Sequence, residues 1–301
     1  MIYDKWMSFI KDDVKLTELV IPGSHNAGSY TMNALAKCQS DDLYEQYMHG
    51  VRHFCIRLNE KKGVVYLAHG MSFGRPLEEV LGQISRMIKH NDSEFLILDM
   101  REYYPQKFGP ITLKYKADPI KVNALLKSYI DPVKYAFVDF TDISNVTMGD
   151  IRKSGKRYLI VNSEQAYSGS KAVETILPWD SKSFGLSPEK FVDATIKIFD
   201  ENSTKGLYWF QTQETPNLGT EQGVVTPKVL DDRLRPYYGQ IIDKLRENPE
   251  RLQKVNIVEG DFMSRDYQKS SDILRLNIDK GNVMDDKSDE YKDGLVVRNL
   301  R

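Results

Sequence analysis

Two histidines in this chain stand where apolar segments break into turns. His25 closes Leu19-Val-Ile-Pro-Gly-Ser-His25-Asn26-Ala-Gly28, and His69 closes Val64-Val-Tyr-Leu-Ala-His69-Gly70, about 45 residues on. A pair of imidazoles at two strand ends can serve one phosphate as general base and general acid. One takes the proton of an attacking hydroxyl and the other protonates the departing oxygen. The chain holds five histidines, and the other three lack such a setting. Arg57, Arg101 and Asp261 also fall at or just past expected strand ends, where they offer cations and a carboxylate to the same centre. Taken singly, each has a plainer reading: a structural histidine, an ordinary ion-pair arginine, or an aspartate capping the next helix. Five such residues on five expected strands make the set informative.

The elements that must carry them follow from the apolar patterning. Strands are expected over 17–21, 51–58, 64–68, 95–100, 157–161, 207–212 and 255–260, and their continuous rather than alternating apolarity suggests a parallel sheet covered on both faces. Between them, residues 77–90 place Leu77, Val80, Leu81, Ile84, Met87 and Ile88 on one helical stripe. Ser187-Pro188-Glu189 reads as N-cap, first-turn proline and first-turn acid of a helix running through Ile198. Residues 228–246 and 266–278 read as two more helices. The recurring strand–helix order favours an α/β fold, a single irregular TIM-like (β/α) barrel over 1–301. The tail from Asp279 reads as a solvated, peripheral loop before a last apolar piece, Leu295-Val-Val.

Composition limits the function. The 301 residues are 41% hydrophobic, enough for a large core, and 42 Lys and Arg balance 43 Asp and Glu. That balance argues against nucleic acid as the main partner but leaves room for a local cationic pocket. The two cysteines, Cys38 and Cys55, form no disulfide framework and no recognisable zinc motif. No apolar run approaches membrane-spanning length. The N-terminus is broken by charges before a signal-peptide core can form, so a cytoplasmic protein is expected if Met1 is the native start, and a secreted one if the chain is a trimmed precursor.

With these residues assembled, the chain resembles the phosphatidylinositol-specific phospholipase C X-domain family, the bacterial members more than the calcium-dependent eukaryotic ones. The matching pieces are Ile-Pro-Gly-Ser-His-Asn (21–26), Gly-Val-Arg-His-Phe-Cys-Ile-Arg (50–57), Leu-Ala-His-Gly (67–70) and Phe-Leu-Ile-Leu-Asp-Met-Arg (95–101), with weaker matches at 155–162 and 258–262. The resemblance implies cleavage of an inositol phospholipid by its own 2-hydroxyl, giving diacylglycerol and a cyclic inositol phosphate. By matching position it implies His25 as base, His69 as acid, Asp261 as the carboxylate orienting His25, and Arg57 as the guanidinium on the phosphate oxygens. Arg101 stands where bacterial members have lysine, a cation of different reach. Asn162 and Asp180 fall roughly where relatives bind sugar hydroxyls, although either could instead shape a loop. Trp179 could stack on substrate; for Trp209 core packing is the expectation.

Two positions depart from the pattern. Asn26 replaces the usual bacterial aspartate after the base, so the pKa of His69 should be raised less. Cys55 replaces an acid in the Phe-Asp-Ile-Arg pattern and reads as a buried thiol. Calcium-dependent relatives also read His-Asn, but calcium needs several oxygens, and Cys55, Arg57 and Arg101 occupy the positions that would supply them. No metal and no cofactor are therefore expected. The implied partners are an inositol phospholipid and, transiently, a membrane surface, with the protein a monomer. Two alternatives stay open: a metal-dependent glycerophosphodiesterase or phospholipase D-like enzyme on the same superfold, and a catalytically weak module that binds inositol lipids.

Overall fold

The computed structural model describes residues 2–100, 106–108, 111–113, 116–162, 166–173, 175–176, 185–204, 206–215 and 225–296. Among these residues thirteen strands run in chain order: β1 Ile21–Ser24, β2 His53–Cys55, β3 Leu58–Lys61, β4 Val64–His69, β5 Ser72–Pro76, β6 Leu96–Asp99, β7 Gln106–Phe108, β8 Ile111–Leu113, β9 Tyr158–Val161, β10 Ser170–Lys171, β11 Thr175–Ile176, β12 Leu207–Gln211 and β13 Ile257–Gly260. Eight of them form one sheet in the order β10-β9-β6-β2-β1-β13-β12-β11, every pair parallel. β10 pairs with β9 at one edge of the sheet and β11 with β12 at the other, and only three residues of chain separate β10 from β11. The result is the expected α/β, TIM-like barrel.

The period-2 alternation of the strands sorts their side chains into two layers. Phe54, Leu98, Ile160, Tyr208, Phe210 and Val258 face outward and pack on helices such as Leu77–His90 and Tyr238–Arg246. Ile21, Ile97, Leu159, Trp209 and Ile257 face inward and share a buried cluster with Trp6, Met7, Phe9 and Ile10 of the N-terminal segment. Trp209 is fully buried, as expected, and its indole N–H donates to Nε2 of His53.

Several expectations need correcting. The strand placed over 17–21 starts only at Ile21, because Lys15–Leu19 form turns closed by Glu18 N–H and Leu19 N–H to the Lys15 carbonyl. The stretch 51–58 is two elements, β2 in the barrel and the start of β3 outside it. The segment holding His69 is β4, the centre of a separate antiparallel sheet, β3-β4-β5, so His69 does not sit on a barrel strand. The helix expected over 228–246 is broken into Pro227–Leu234, a 3-10 turn Arg235–Tyr237 and Tyr238–Arg246, since Pro236 lacks the N–H that a continuous helix needs. The tail is no peripheral loop. Val283, Tyr291 and Leu295 are buried in the cluster that closes the barrel floor, and Ser288–Gly294 is helical.

Among the described residues, no helix is long and apolar enough to cross a membrane.

Candidate active site

The inward-facing strand positions turn polar toward the C-terminal end of the barrel: His53 and Cys55 on β2, Asp99 on β6 and Glu259 on β13, all buried. The parallel register pairs Ser24 with Gly260, so the next residues of β1 and β13, His25 and Asp261, emerge side by side. His25 Nδ1–H donates to Asp261 Oδ1 at 2.7 Å, which leaves Nε2 with its lone pair. That lone pair accepts from the Asn26 amide nitrogen at 2.9 Å. Asn26 has φ 44 and ψ 53, the left-handed conformation that asparagine tolerates better than most side chains, and it opens the 3-10 helix Ala27–Thr31.

His69 arrives from the other sheet. Its hairpin lies against the loop after β1, a fit that requires Gly28, because a Cβ there would overlap the Leu67 side chain. His69 Nδ1–H donates to the Ala36 carbonyl at 2.8 Å, so Nε2 is the nitrogen presented to a reactant. The two imidazole rings stand 6.2 Å apart between centroids, with planes at 79°. Arg57, two residues past β2, is held by Asp99: Nη2 reaches Oδ2 at 3.0 Å and Nη1 the Asp99 carbonyl at 3.2 Å. Asn26, Cys55, Arg57, Leu67 and Ala68 line a small cavity beside the histidines.

The electrostatics push the two histidines apart. Burial pulls the His25 pKa down, but the charge and hydrogen bond of Asp261, with help from Glu259, outweigh it and leave His25 raised. For His69 burial again lowers the pKa and outweighs the Ala36 carbonyl and Asp261, which raise it, while His25 and Arg57 add to the lowering. Burial pushes the Glu259 carboxyl up to about 7, against the pull of His25 and Arg57. Burial also raises both thiols, Cys38 well above the ordinary range.

Asp261 is itself clamped. It caps no helix, since the next one begins at Gln268 behind Tyr267. Buried Lys269 donates to the Asp261 carbonyl at 2.7 Å and to Asp231 Oδ1 at 2.6 Å. The following residue, Phe262, is held at φ 52, in a region a phenylalanine rarely occupies. Its N–H donates to the Cys38 carbonyl at 2.8 Å, and its own carbonyl accepts from Arg235 Nη2 at 2.9 Å. These contacts fix a strained backbone beside a site carboxylate.

The structure thus brings together His25, Asn26, Arg57, His69 and Asp261. Asn162 is buried after β9; it donates to the Met100 carbonyl at 3.0 Å and accepts from Ala166 N–H at 3.0 Å, the contacts of a loop-holding residue. Arg101, Trp179 and Asp180 lie outside the described residues. Asp99, Glu259, Cys38 and Lys269 were not singled out from the sequence. The available signal for the first two was a single acid inside an otherwise apolar strand, in Phe-Leu-Ile-Leu-Asp99-Met and Val-Asn-Ile-Val-Glu259-Gly. One ligand atom from each of His25, Cys38 and Asp261 lies within 4.8 Å of the other two, so this trio could hold a metal ion.

No family model matches the chain. Among curated proteins, it is 32% identical over 114 residues to a 1-phosphatidylinositol phosphodiesterase of Staphylococcus aureus, covering 34% of this chain and 35% of that protein. It is 27% identical over 179 residues to the 1-phosphatidylinositol phosphodiesterase of Listeria monocytogenes, covering 54% of this chain and 52% of the relative. The matched stretches therefore span about a third to a half of these relatives' lengths. In three dimensions, the phosphatidylinositol-specific phospholipase C of Listeria monocytogenes superposes with a TM-score of 0.66 at 21% identity, over 91% of this chain and 98% of that one. By sequence the chain's homologues are phosphatidylinositol phosphodiesterases, and its fold is the TIM-like barrel of the bacterial phosphatidylinositol-specific phospholipases C.

Proposed function

We propose that this chain is a phosphodiesterase that cleaves phosphatidylinositol, or a related inositol phospholipid or glycolipid, to diacylglycerol and a cyclic inositol phosphate. The observation that carries the reading is the pair of histidines with opposite support. His25 is backed by a carboxylate, as a base should be, and His69 by a neutral carbonyl, while the Arg57 guanidinium lines a cavity shared with Asn26 and Ala68, the chain neighbours of the two histidines.

In this reading the inositol 2-hydroxyl displaces the Asn26 amide from His25 Nε2 and gives its proton to that nitrogen. Asp261 stabilises the imidazolium that forms. The alkoxide attacks the adjacent phosphorus, and Arg57 holds the phosphate oxygens as their charge grows, with Asp99 keeping the guanidinium in place. His69, protonated on both nitrogens, gives its Nε2 proton to the diacylglycerol oxygen as the bond to phosphorus breaks. The same two residues in reversed roles could open the cyclic phosphate with water. The protein would meet its substrate at a membrane surface and work as a monomer without a metal.

The deciding experiment is release of cyclic inositol phosphate from phosphatidylinositol vesicles in EDTA, with His25→Ala and His69→Ala beside the wild type. Turnover in EDTA that both variants lose supports the proposal. Turnover that appears only with added divalent metal would replace it with the metal-dependent diesterase reading, and tight binding without turnover with the lipid-binding module.

A further inference from the structure

Cys38 takes no part in the reaction proposed above, yet its thiol is buried at the centre of the site. Its sulfur lies 3.8 Å from His69 Nδ1 and 3.8 Å from the Asn26 amide nitrogen, and the residue is 1% exposed. Its backbone belongs to the same frame, since Cys38 N–H donates to Ser29 Oγ at 2.9 Å and its carbonyl receives Phe262 N–H at 2.8 Å. A thiol, an imidazole and a carboxylate therefore converge, with one ligand atom of each within 4.8 Å of the others.

We propose that His25, Cys38 and Asp261 form an inhibitory site for a zinc-like divalent cation. Sulfur, imidazole nitrogen and carboxylate oxygen are the donors zinc takes, at bond lengths of about 2.0–2.3 Å. Two donors on one tetrahedral zinc stand roughly 3.3–3.7 Å apart on those bond lengths, so the trio closes on the ion through side-chain shifts of about 1 Å. His69 Nδ1 lies 3.8 Å from the same sulfur but keeps its bond to the Ala36 carbonyl, so a water would complete the fourth position. Binding displaces the thiol proton to solvent, and the thiolate with Asp261 supplies two negative charges for the ion. Of the other charged groups facing the site, Arg57 is paired with Asp99 and Glu259 is an additional acid. Calcium and magnesium are poor occupants, because they call for six or more oxygens and this cluster offers one carboxylate.

The consequence is a block rather than an activation. A zinc ion on His25 removes the lone pair that would accept the substrate proton, so catalysis and zinc binding exclude each other. The inference rests on the proposed function only in taking His25 as the base; the metal site can be read without turnover. Zn2+ at micromolar concentration should inhibit phosphatidylinositol cleavage, EDTA should restore it, and millimolar Ca2+ or Mg2+ should leave it unchanged. Cys38→Ala should weaken zinc inhibition about tenfold or more while keeping activity in EDTA, because loss of a ligand costs more than the 10–100-fold typical of its supporting partners. Co2+ titrated into the wild type should give thiolate-to-cobalt charge-transfer absorption that Cys38→Ala, and independently Cys38→Ser, lacks. Equal zinc sensitivity in wild type and Cys38→Ala, or no cobalt–thiolate band, would overturn the inference. If no diester is cleaved even in EDTA, the proposed function fails while the cobalt spectrum still decides the metal site.

Discussion

His25 and His69 face each other at 6.2 Å although one ends a barrel strand and the other ends the middle strand of an antiparallel hairpin. The proposed base and acid are thus carried by different sheets, and their spacing is set by the packing of the hairpin on the loop after β1. Replacing either histidine by alanine should lower turnover by about 10²–10⁴-fold, the usual worth of a positioned proton-transfer group. A drop in kcat with the folded state intact by circular dichroism is the expected result for both.

Gly28 is where that packing is tightest. Gly28→Ala drives a methyl group into Leu67 and should destabilise the protein by about 1–3 kcal/mol, as overpacking does. It should also lower kcat by shifting the hairpin that holds His69. The double variant Gly28→Ala/Leu67→Ala gives the methyl group room and should recover part of both losses; a double variant worse than the sum of the singles would remove this account.

The pH dependence carries a less ordinary expectation. His25 is raised and His69 lowered, so the reactive pair, neutral His25 with protonated His69, is the minor of the two singly protonated forms at every pH. A plot of kcat/KM against pH is then a bell whose acidic limb follows His69 and whose alkaline limb follows His25. Removing the charge with Asp261→Asn lowers the His25 pKa, so the alkaline limb should move to lower pH and the bell should narrow. With the opposite ordering the same variant would shift the acidic limb and broaden the bell. The profile distinguishes the two cases even if Asp261→Asn also costs several orders of magnitude in rate, as loss of an orienting aspartate can.

Lys269, which donates to the Asp261 carbonyl, is expected to act on His25 through Asp261. Lys269→Met removes its bonds to the Asp261 carbonyl and to Asp231, and should cost on the order of 3 kcal/mol in stability, the scale for breaking a buried pair. A merely structural role would end there. Positioning predicts in addition a lower kcat at unchanged KM and an alkaline limb moved to lower pH, because a loosened Asp261 holds His25 less firmly. Lys269→Arg, which keeps a donor and a charge, should restore part of the pH shift.

Arg57 should not be replaceable by lysine. Its guanidinium bonds both the carboxylate and the carbonyl of Asp99, a fixed geometry that a single ammonium does not reproduce. Arg57→Lys should lower kcat by about 10²–10³-fold, comparable to losing one preorganised donor to a developing oxyanion. Asp99→Asn, which keeps an acceptor for Arg57 but not the charge, should fall between that variant and the wild type.

Much of this was legible in the residues. The stripe of Leu77, Val80, Leu81, Ile84, Met87 and Ile88 marked the 77–90 helix to its ends, because a helical period is hard to imitate over that length. The Ser187-Pro188 start was equally readable from capping chemistry. His69 was found for a partly mistaken reason. Val64–Val-Tyr-Leu-Ala reads like a buried barrel strand, and a short apolar run carries no record of whether its partners are parallel or antiparallel. Lys269 and Cys38 were beyond reach, since their roles come from approaches across 8 and 31 positions of chain that no local pattern announces. The burial of Tyr291 was missed because its neighbours are charged and only its own face meets the floor.

Among the described residues, β1 and β13, which His25 and Asp261 immediately follow, pair over four residues in the middle of the sheet order. The proposed base and its carboxylate thus ride on one continuous backbone ladder. A distortion that spread the sheet would carry the two together rather than pull them apart.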